Sequence, residues 1–181
     1  MAKRLLLLRH AKSAWDQPEL SDTERPLSKR GRRIAPLVGH FMLKEGLIPA
    51  MVLCSTAVRA RETWDLVAAT WPHPPHQKLI AGLYMSTPRE ILAILRGKGG
   101  DAASILVIGH NPGLGDLANW LADDGEAETI SKMRHKFPTA GLAVLDLPID
   151  SWRDLDDSSA NNWSSRLARF VTPDDLPDEE S

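Results

Sequence analysis

Apolar positions along this chain fall into two kinds of run, short unbroken blocks and longer stretches with a helical period. "RLLLL" near the start, "AMVLCS" (50–55), "KLIAG" (78–82) and "SILVIGH" (104–110) are unbroken blocks, as expected of strands buried on both faces. Between them, "SKRGRRIAPLVGHFMLKE" (28–45) reads as a helix with Ser28 as its N-cap, although Pro36 and Gly39 count against it. A second helix follows from about residue 56 to about residue 70. "TPREILAILRG" is a third, with Thr87 as cap, Pro88 at the first helical position and Gly97 as stop. "NPGLGDLANWLADD" opens a fourth. "TAGLAVLDL" (139–147) and "RLARFVT" (166–172) complete the sheet as an antiparallel pair or meander. The alternation predicts an α/β fold around a mostly parallel sheet, with residues 1–172 as one domain and no internal repeat. The acidic, proline-broken "PDDLPDEES" (173–181) is expected to be a disordered tail.

Composition narrows the function classes without choosing one. The 181 residues are 43% apolar and 25% charged, ordinary for a globular protein, and long enough for a sizeable core. A net charge of −2 gives no basic field to attract nucleic acid. No apolar run approaches a membrane span, and the run before Arg9 is only four residues long, too short for a signal-peptide core. The single cysteine, Cys54, excludes an intramolecular disulfide and a cysteine-rich metal site. A cytoplasmic enzyme or binding domain is the expectation.

Candidate chemistry lies at the strand ends. In open parallel sheets, ligands bind beyond the carboxyl ends of the strands. There the leucine run delivers Arg9 and His10, "MVLCS" leads through "TAVRARET" to Arg59 at a helix start, and "SILVIG" ends in His110. Four cationic or potentially cationic groups brought together repel one another unless an anion joins them. A phosphoryl group is the natural guest, because guanidinium binds its oxygens in bidentate fashion and helix N-termini add backbone donors.

Each residue alone has a simpler reading. An arginine at a strand end is usually a solvated charge, and His40 and His135 read as surface histidines. His73 and His76, in "HPPHQ", are held apart by proline geometry and lack a third ligand. "GKGG" (97–100) lacks the spacing and trailing Ser/Thr of a P-loop, and "GHNPGLG" is not a dinucleotide fingerprint. Cys54 with Arg59 nearly imitates a cysteine phosphatase signature, but the interval is one residue short and contains no glycine. The constellation, not any single member, points to phosphoryl chemistry.

Taken together, "LLLLRHAKS", "CSTAVRARET" and "VIGHNPGL" resemble the histidine phosphatase superfamily, which includes the cofactor-dependent phosphoglycerate mutases. "RHAKSAWD", "RPLSKRG" (25–31) and "GHNPGL" look like its short SixA-type phosphohistidine phosphatases. The resemblance implies a three-layer α/β/α sandwich with a six-stranded, mostly parallel sheet, and no cofactor or metal. It implies His10 as the nucleophile, with Arg9, Arg59 and His110 around the phosphoryl oxygens and Ser13 and Asn111 as further substrate contacts. Physical chemistry agrees with those roles. A nucleophilic histidine must be neutral, nearby arginines favour that form, and one ring nitrogen must be held so that the other carries the lone pair.

The chain departs from many family members in one respect. The region that usually supplies a carboxylic acid to protonate a leaving alkoxide reads "LIAGLYMSTPRE", whose first acid, Glu90, is expected to point away from the pocket. Asp16 and Asp22 are substitutes on paper, and read more simply as solvated loop acids or Asx turns. A pocket without a dedicated acid suits phosphohistidine better than an alkyl phosphate, because imidazole leaves more readily than alkoxide. Brief linkers leave little room for a lid, so the pocket is expected to be open enough for a histidine on a protein surface.

"SKRGRR" (28–33) is either a solvated face or a docking surface for an acidic partner such as a phosphotransfer domain. Trp15 either edges the pocket or packs its loop. The expected partner is thus a phosphorylated protein histidine, with a small phosphate ester as the alternative and a non-catalytic phosphate-binding module as the rival from another class. Nucleic acid and membrane are not expected.

Overall fold

In the computed structural model, which describes residues 2–157 and 164–177, the leucine run forms β1 (Lys3–Arg9) inside a seven-stranded sheet. The others are β2 (Met51–Ser55), β3 (Gln77–Ile80), β4 (Ser104–Gly109), β5 (Asp124–Gly125), β6 (Leu142–Leu147) and β7 (Arg166–Val171). Their order is β3-β2-β4-β1-β6-β7-β5. β3, β2, β4 and β1 run parallel, β6 is antiparallel to both β1 and β7, and β5 is parallel to β7. Every strand but β6 therefore points the same way. The expected mostly parallel sheet is present with one strand more than the expected six, the extra one being the two-residue β5.

Strand geometry sends successive side chains to opposite faces, and β1 shows why a four-leucine run is needed there. Leu5 and Leu7 pack on the side covered by α3 (Pro88–Lys98), α4 (Gly113–Leu121) and α5 (Ala127–His135). Leu6 and Leu8 pack on the side covered by α1 (Lys29–Lys44) and α2 (Val58–Ala68). All four leucines are buried, and each contributes roughly 1.5–3 kcal/mol. The strand is thereby clamped on both faces up to the residue where the chemistry begins.

Helix α1 runs through Pro36 and Gly39, which the sequence weighs against it. Its buried stripe of Ile34, Ala35, Leu37, Val38 and Met42 outweighs both. Gly39 is required by a close crossing of α2. A Cβ there would stand 2.3 Å from Thr70 Oγ1 and 2.8 Å from the Val67 carbonyl, and Trp71 Nε1 donates to the Gly39 carbonyl at 2.9 Å. Helix α5 was not foreseen, because it buries Met133 alone and shows almost no apolar period.

The C-terminal residues correct the expected boundary at 172. Pro173–Asp175 form a 3₁₀ turn, Asp175 pairs with Lys132 at 2.6 Å, and Leu176 is buried against the α1–α2 side of the core. Of the expected acidic tail, residues 178–181 lie outside the described residues. Among the described residues, no helix is long and apolar enough to cross a membrane.

Candidate active site

The register of two parallel strands builds the centre of the site. Arg9 pairs with Gly109, so the next residues, His10 and His110, leave the sheet side by side. His10 N donates to the Gly109 carbonyl at 3.1 Å, and the imidazole centroids stand 5.1 Å apart. His10 Nδ1 lies 2.7 Å from the Ala11 carbonyl oxygen, which can only accept, so Nδ1 carries the proton. The neutral ring then has its lone pair on Nε2, which accepts from Arg59 Nε at 3.3 Å. Burial pushes the His10 pKa down to about 3, with further lowering from His110, Arg59 and Arg9. The bond to Ala11 opposes that shift without cancelling it. His10 is thus held neutral, with one defined nitrogen, Nε2, unprotonated at the pocket.

Arg59 comes from the first turn of α2 and is only 4% exposed. Its Nη1 donates to the Asp22 carbonyl at 2.6 Å and its Nη2 to the Asp22 carboxylate at 3.0 Å. Tyr84 donates its hydroxyl to the same carboxylate oxygen at 2.5 Å, and Arg25 Nε lies 3.3 Å from the other. The Tyr84 bond, then Arg59 and Arg25, hold the Asp22 carboxyl below the usual range. Arg25 also donates to Ser13 Oγ at 3.0 Å and stacks on Trp15, its guanidinium carbon 3.3 Å from the ring centroid. The simple reading of Asp22 as a solvated loop acid is therefore corrected: it is the anion that joins the cations in the free protein.

His110 is also held neutral, its pKa lowered to about 4, chiefly by burial and then by Arg59. Its Nε2 shares a 2.7 Å hydrogen bond with Ser55 Oγ at the end of β2, and the ring of Tyr84 meets it edge-on. Arg9 Nη1 donates to the Phe137 carbonyl at 3.0 Å. Asn111 lines the pocket, but its amide serves the backbone. Nδ2 donates to the Phe137 carbonyl at 2.8 Å, and Oδ1 accepts from Gly115 N at 3.1 Å in the first turn of α4.

Two further residues fix the loop after His10. Thr63 Oγ1 accepts from Ala11 N at 3.0 Å and donates to the Arg59 carbonyl at 2.7 Å, tying the Ala11 peptide to α2. Ser28 donates to the Lys12 carbonyl through its backbone N at 2.8 Å and its hydroxyl at 3.0 Å. The same hydroxyl caps α1 by accepting from Gly31 N. Gly31 packs so closely on this loop that a Cβ would lie 2.2 Å from the Lys12 oxygen. "RPLSKRG" and "RARET" thus carry residues that orient the Ala11 and Lys12 backbone.

These groups line a pocket of about 540 Å³. Arg9, His10, Ser13, Arg59, His110 and Asn111 all border it, so every residue expected at the site is brought together. Trp15, 76% exposed, and Met85, 53% exposed, stand at its rim. Asp16 borders a separate surface depression, and the Glu90 carboxylate is spent on Thr87 N in the capping box of α3. Cys54 is buried, and burial raises its thiol pKa to about 12, which leaves it a poor nucleophile. Sequence reasoning missed Tyr84 and Arg25. Arg25 opens the quoted "RPLSKRG", whereas Tyr84, the single tyrosine, follows a short edge strand with no pattern to mark it.

The chain is similar to known proteins in both sequence and fold. The model of the histidine phosphatase superfamily, branch 1, matches residues 5–79. The uncharacterized protein Rv1276c of Mycobacterium tuberculosis is 36% identical over 157 residues, which cover 84% of this chain and 94% of that one. The candidate phosphohistidine phosphatase SixA of Nakamurella multipartitia superimposes with a TM-score of 0.79 at 26% identity, over 96% of this chain and 97% of that one. The corresponding SixA candidate of Agrobacterium tumefaciens gives 0.76, also at 26% identity, over 96% and 100%. With its paired strand-end histidines, its buried arginine and these relatives, the chain belongs to the histidine phosphatase superfamily, in its SixA-type branch.

Proposed function

We propose that this protein hydrolyses phosphohistidine on a protein by way of a phosphohistidine at His10, and that it does so without a metal. The observation that carries the reading is the 2.7 Å bond from His10 Nδ1 to the Ala11 carbonyl, which leaves Nε2 unprotonated at the pocket. In the first step Nε2 attacks phosphorus in line with the bond to the substrate imidazole. The new N–P bond forms as the old one breaks, and the departing imidazole takes a proton from solvent. Arg9 and Arg59 supply the positive charge that spreads over the equatorial oxygens, so no metal ion is assigned that task. Water then attacks phosphorus, the bond to Nε2 breaks, and phosphate leaves with the proton balance made through solvent. Ser13 and His110 contribute polar contacts at the pocket wall, and Asn111 acts by fixing the Phe137 carbonyl that also holds Arg9.

The choice of a phosphoramidate over an ester rests on the acid that an ester needs. Asp22 is the carboxylate bordering the pocket, and it is kept ionised as an acceptor from Tyr84 and Arg59. A group in that state does not donate a proton to an alkoxide, whereas a leaving imidazole takes its proton from solvent and needs no acid in the pocket. The open, apolar rim of Trp15 and Met85 supports a substrate presented on a protein. A cytoplasmic setting goes with this reading.

The test is hydrolysis, with chelator present, of a phosphohistidine-bearing protein and of a panel of phosphate esters by wild type and His10→Ala. Fast release from phosphohistidine alone, lost in the variant together with acid-labile labelling of the enzyme, is expected. Equal or better turnover of esters, or dependence on added metal, would overturn the reading.

A further inference from the structure

Beside the catalytic pocket, and sharing Lys12 and Thr139 with it, lies a second open groove of about 470 Å³. One wall is the start of α1, with Arg30 and Gly31, and the other is the end of α5, with Lys132, His135 and Lys136. Ile34, Pro138, Ala140 and Pro173 give it an apolar lining. Asp175 neutralises Lys132, and Asp174 borders the groove. Lys12, Arg30 and Lys136 are exposed and have no ion-pair partner among the described residues.

Folding does not explain these charges. The first turn of α1 holds no acidic residue, so Arg30 faces the positive end of the helix dipole without compensation. A single small anion would meet the cations but leave the apolar wall of Ile34, Pro138, Ala140 and Pro173 without a partner. Here the cations stand on separate elements along an apolar trough. Carboxylates of a peptide meet the cations while its apolar atoms cover the lining. Because the groove opens onto the catalytic pocket at Lys12 and Thr139, such a peptide lies next to the residue that gives up its phosphoryl group.

We infer that this groove docks an acidic segment of the phosphoprotein substrate, laid beside the phosphorylated side chain. The inference rests on the protein-phosphohistidine reading, and a binding measurement separates the two. The probe is a short fluorescein-labelled peptide rich in Asp and Glu, carrying no phosphate and titrated into the full chain by anisotropy. Its control replaces each Asp by Asn and each Glu by Gln. The variant is Arg30→Glu with Lys136→Gln, both exposed and outside the catalytic machinery; Glu in the first turn of α1 suits the helix dipole.

The acidic peptide is expected to bind wild type, to weaken about 10-fold or more in the double variant, and to weaken further in high salt. The amide control is expected not to bind. With a phosphohistidine protein as substrate, the variant raises KM with kcat unchanged, while hydrolysis of free phosphohistidine is unaltered. Equal affinity of wild type and variant for the acidic peptide overturns the docking site whatever the substrate proves to be. Equal loss on the protein and on free phosphohistidine overturns it too, since the change then acts through the catalytic pocket. Failure of wild type to hydrolyse any phosphohistidine overturns the functional reading alone, and leaves the titration to decide the groove.

Discussion

Asp22 grips Arg59 at two points, its backbone oxygen 2.6 Å from Nη1 and its carboxylate 3.0 Å from Nη2, while Arg59 Nε reaches the unprotonated Nε2 of His10. A half-exposed loop residue thus sets the orientation of a guanidinium that is almost wholly buried. On the proposed reading Asp22 is a positioning residue rather than an acid, and the two roles separate experimentally. Asp22→Ala frees Arg59 to swing, and a displacement of about 1 Å costs up to ~100-fold in kcat. We expect a loss of about 10- to 100-fold on a phosphohistidine substrate, with Asp22→Asn recovering part of it because an amide oxygen still accepts from Arg59. An Asp22→Asn enzyme that keeps full phosphohistidine turnover but loses all ester turnover would instead identify an acid.

Thr63 is linked to the proposed nucleophile, His10, through the Ala11 peptide, which it holds by one hydrogen bond while its hydroxyl proton goes to the Arg59 carbonyl. Thr63→Val keeps the shape and removes both bonds, leaving a buried Ala11 N–H without a partner. Such an orphan costs about 1–3 kcal/mol, so urea unfolding is expected to show a loss in that range. Thr63→Ser is expected to restore both stability and kcat. A valine variant as stable and as active as wild type would mean that the Ala11 peptide is fixed by other contacts.

The legible part of this fold was what periodicity and strand ends encode. The leucine run, the "SILVIG" strand and the cap at Thr87 announce themselves because burial on two faces and helix termini each demand particular residues. Arg9, His10, Arg59 and His110 were readable for the same reason, since each ends, directly follows or closely follows a core strand. Tyr84 was not, and Asp22 was read only as a substitute acid or a solvated loop acid, without its partners. They reach the pocket from a short 3₁₀ turn and from the turn after an edge strand, and their contact spans 62 residues of chain. Nothing local in "SDTER" or "GLYMS" announces that pairing. Strand β5 and helix α5 escaped for a plainer reason: one has two residues and the other buries a single side chain.

Gly31 is predicted to matter to rate as well as to stability. Its missing side chain lets α1 press on the Lys12 carbonyl, and Ala there would put a Cβ 2.2 Å from that oxygen. Since the neighbouring atoms are backbone, the loop after His10 has to move. Overpacking of this kind costs about 1–3 kcal/mol. Gly31→Ala is expected to lower Tm and to reduce kcat even at temperatures where the variant is fully folded. Ser28→Ala is the comparison. It removes a cap worth about 1 kcal/mol without adding an atom to the loop, and is expected to spare more of the activity. Wild-type kcat in folded Gly31→Ala would show that the Lys12 loop tolerates displacement.

The two histidines predict a particular dependence on pH. Their folded pKa values, about 3 for His10 and about 4 for His110, lie below the unfolded value near 6.5. Above pH 6.5 both are neutral whether the chain is folded or not, so stability is full. As pH falls below 6.5 the unfolded chain takes up protons that the folded site refuses. Stability is then lost by up to about 1.4 kcal/mol per pH unit for each histidine, until the folded values are reached. Urea unfolding between pH 7.5 and pH 5 is expected to show this decline in wild type and a shallower one in His110→Gln, where one of the two is gone. The ring-proton NMR signals of His10 and His110 are expected to show no inflection from pH 8 to pH 5. An inflection of His10 near pH 6.5 would mean that the nucleophile is not held neutral by burial. The bond from Nδ1 to Ala11 would then not suffice to keep Nε2 free at neutral pH.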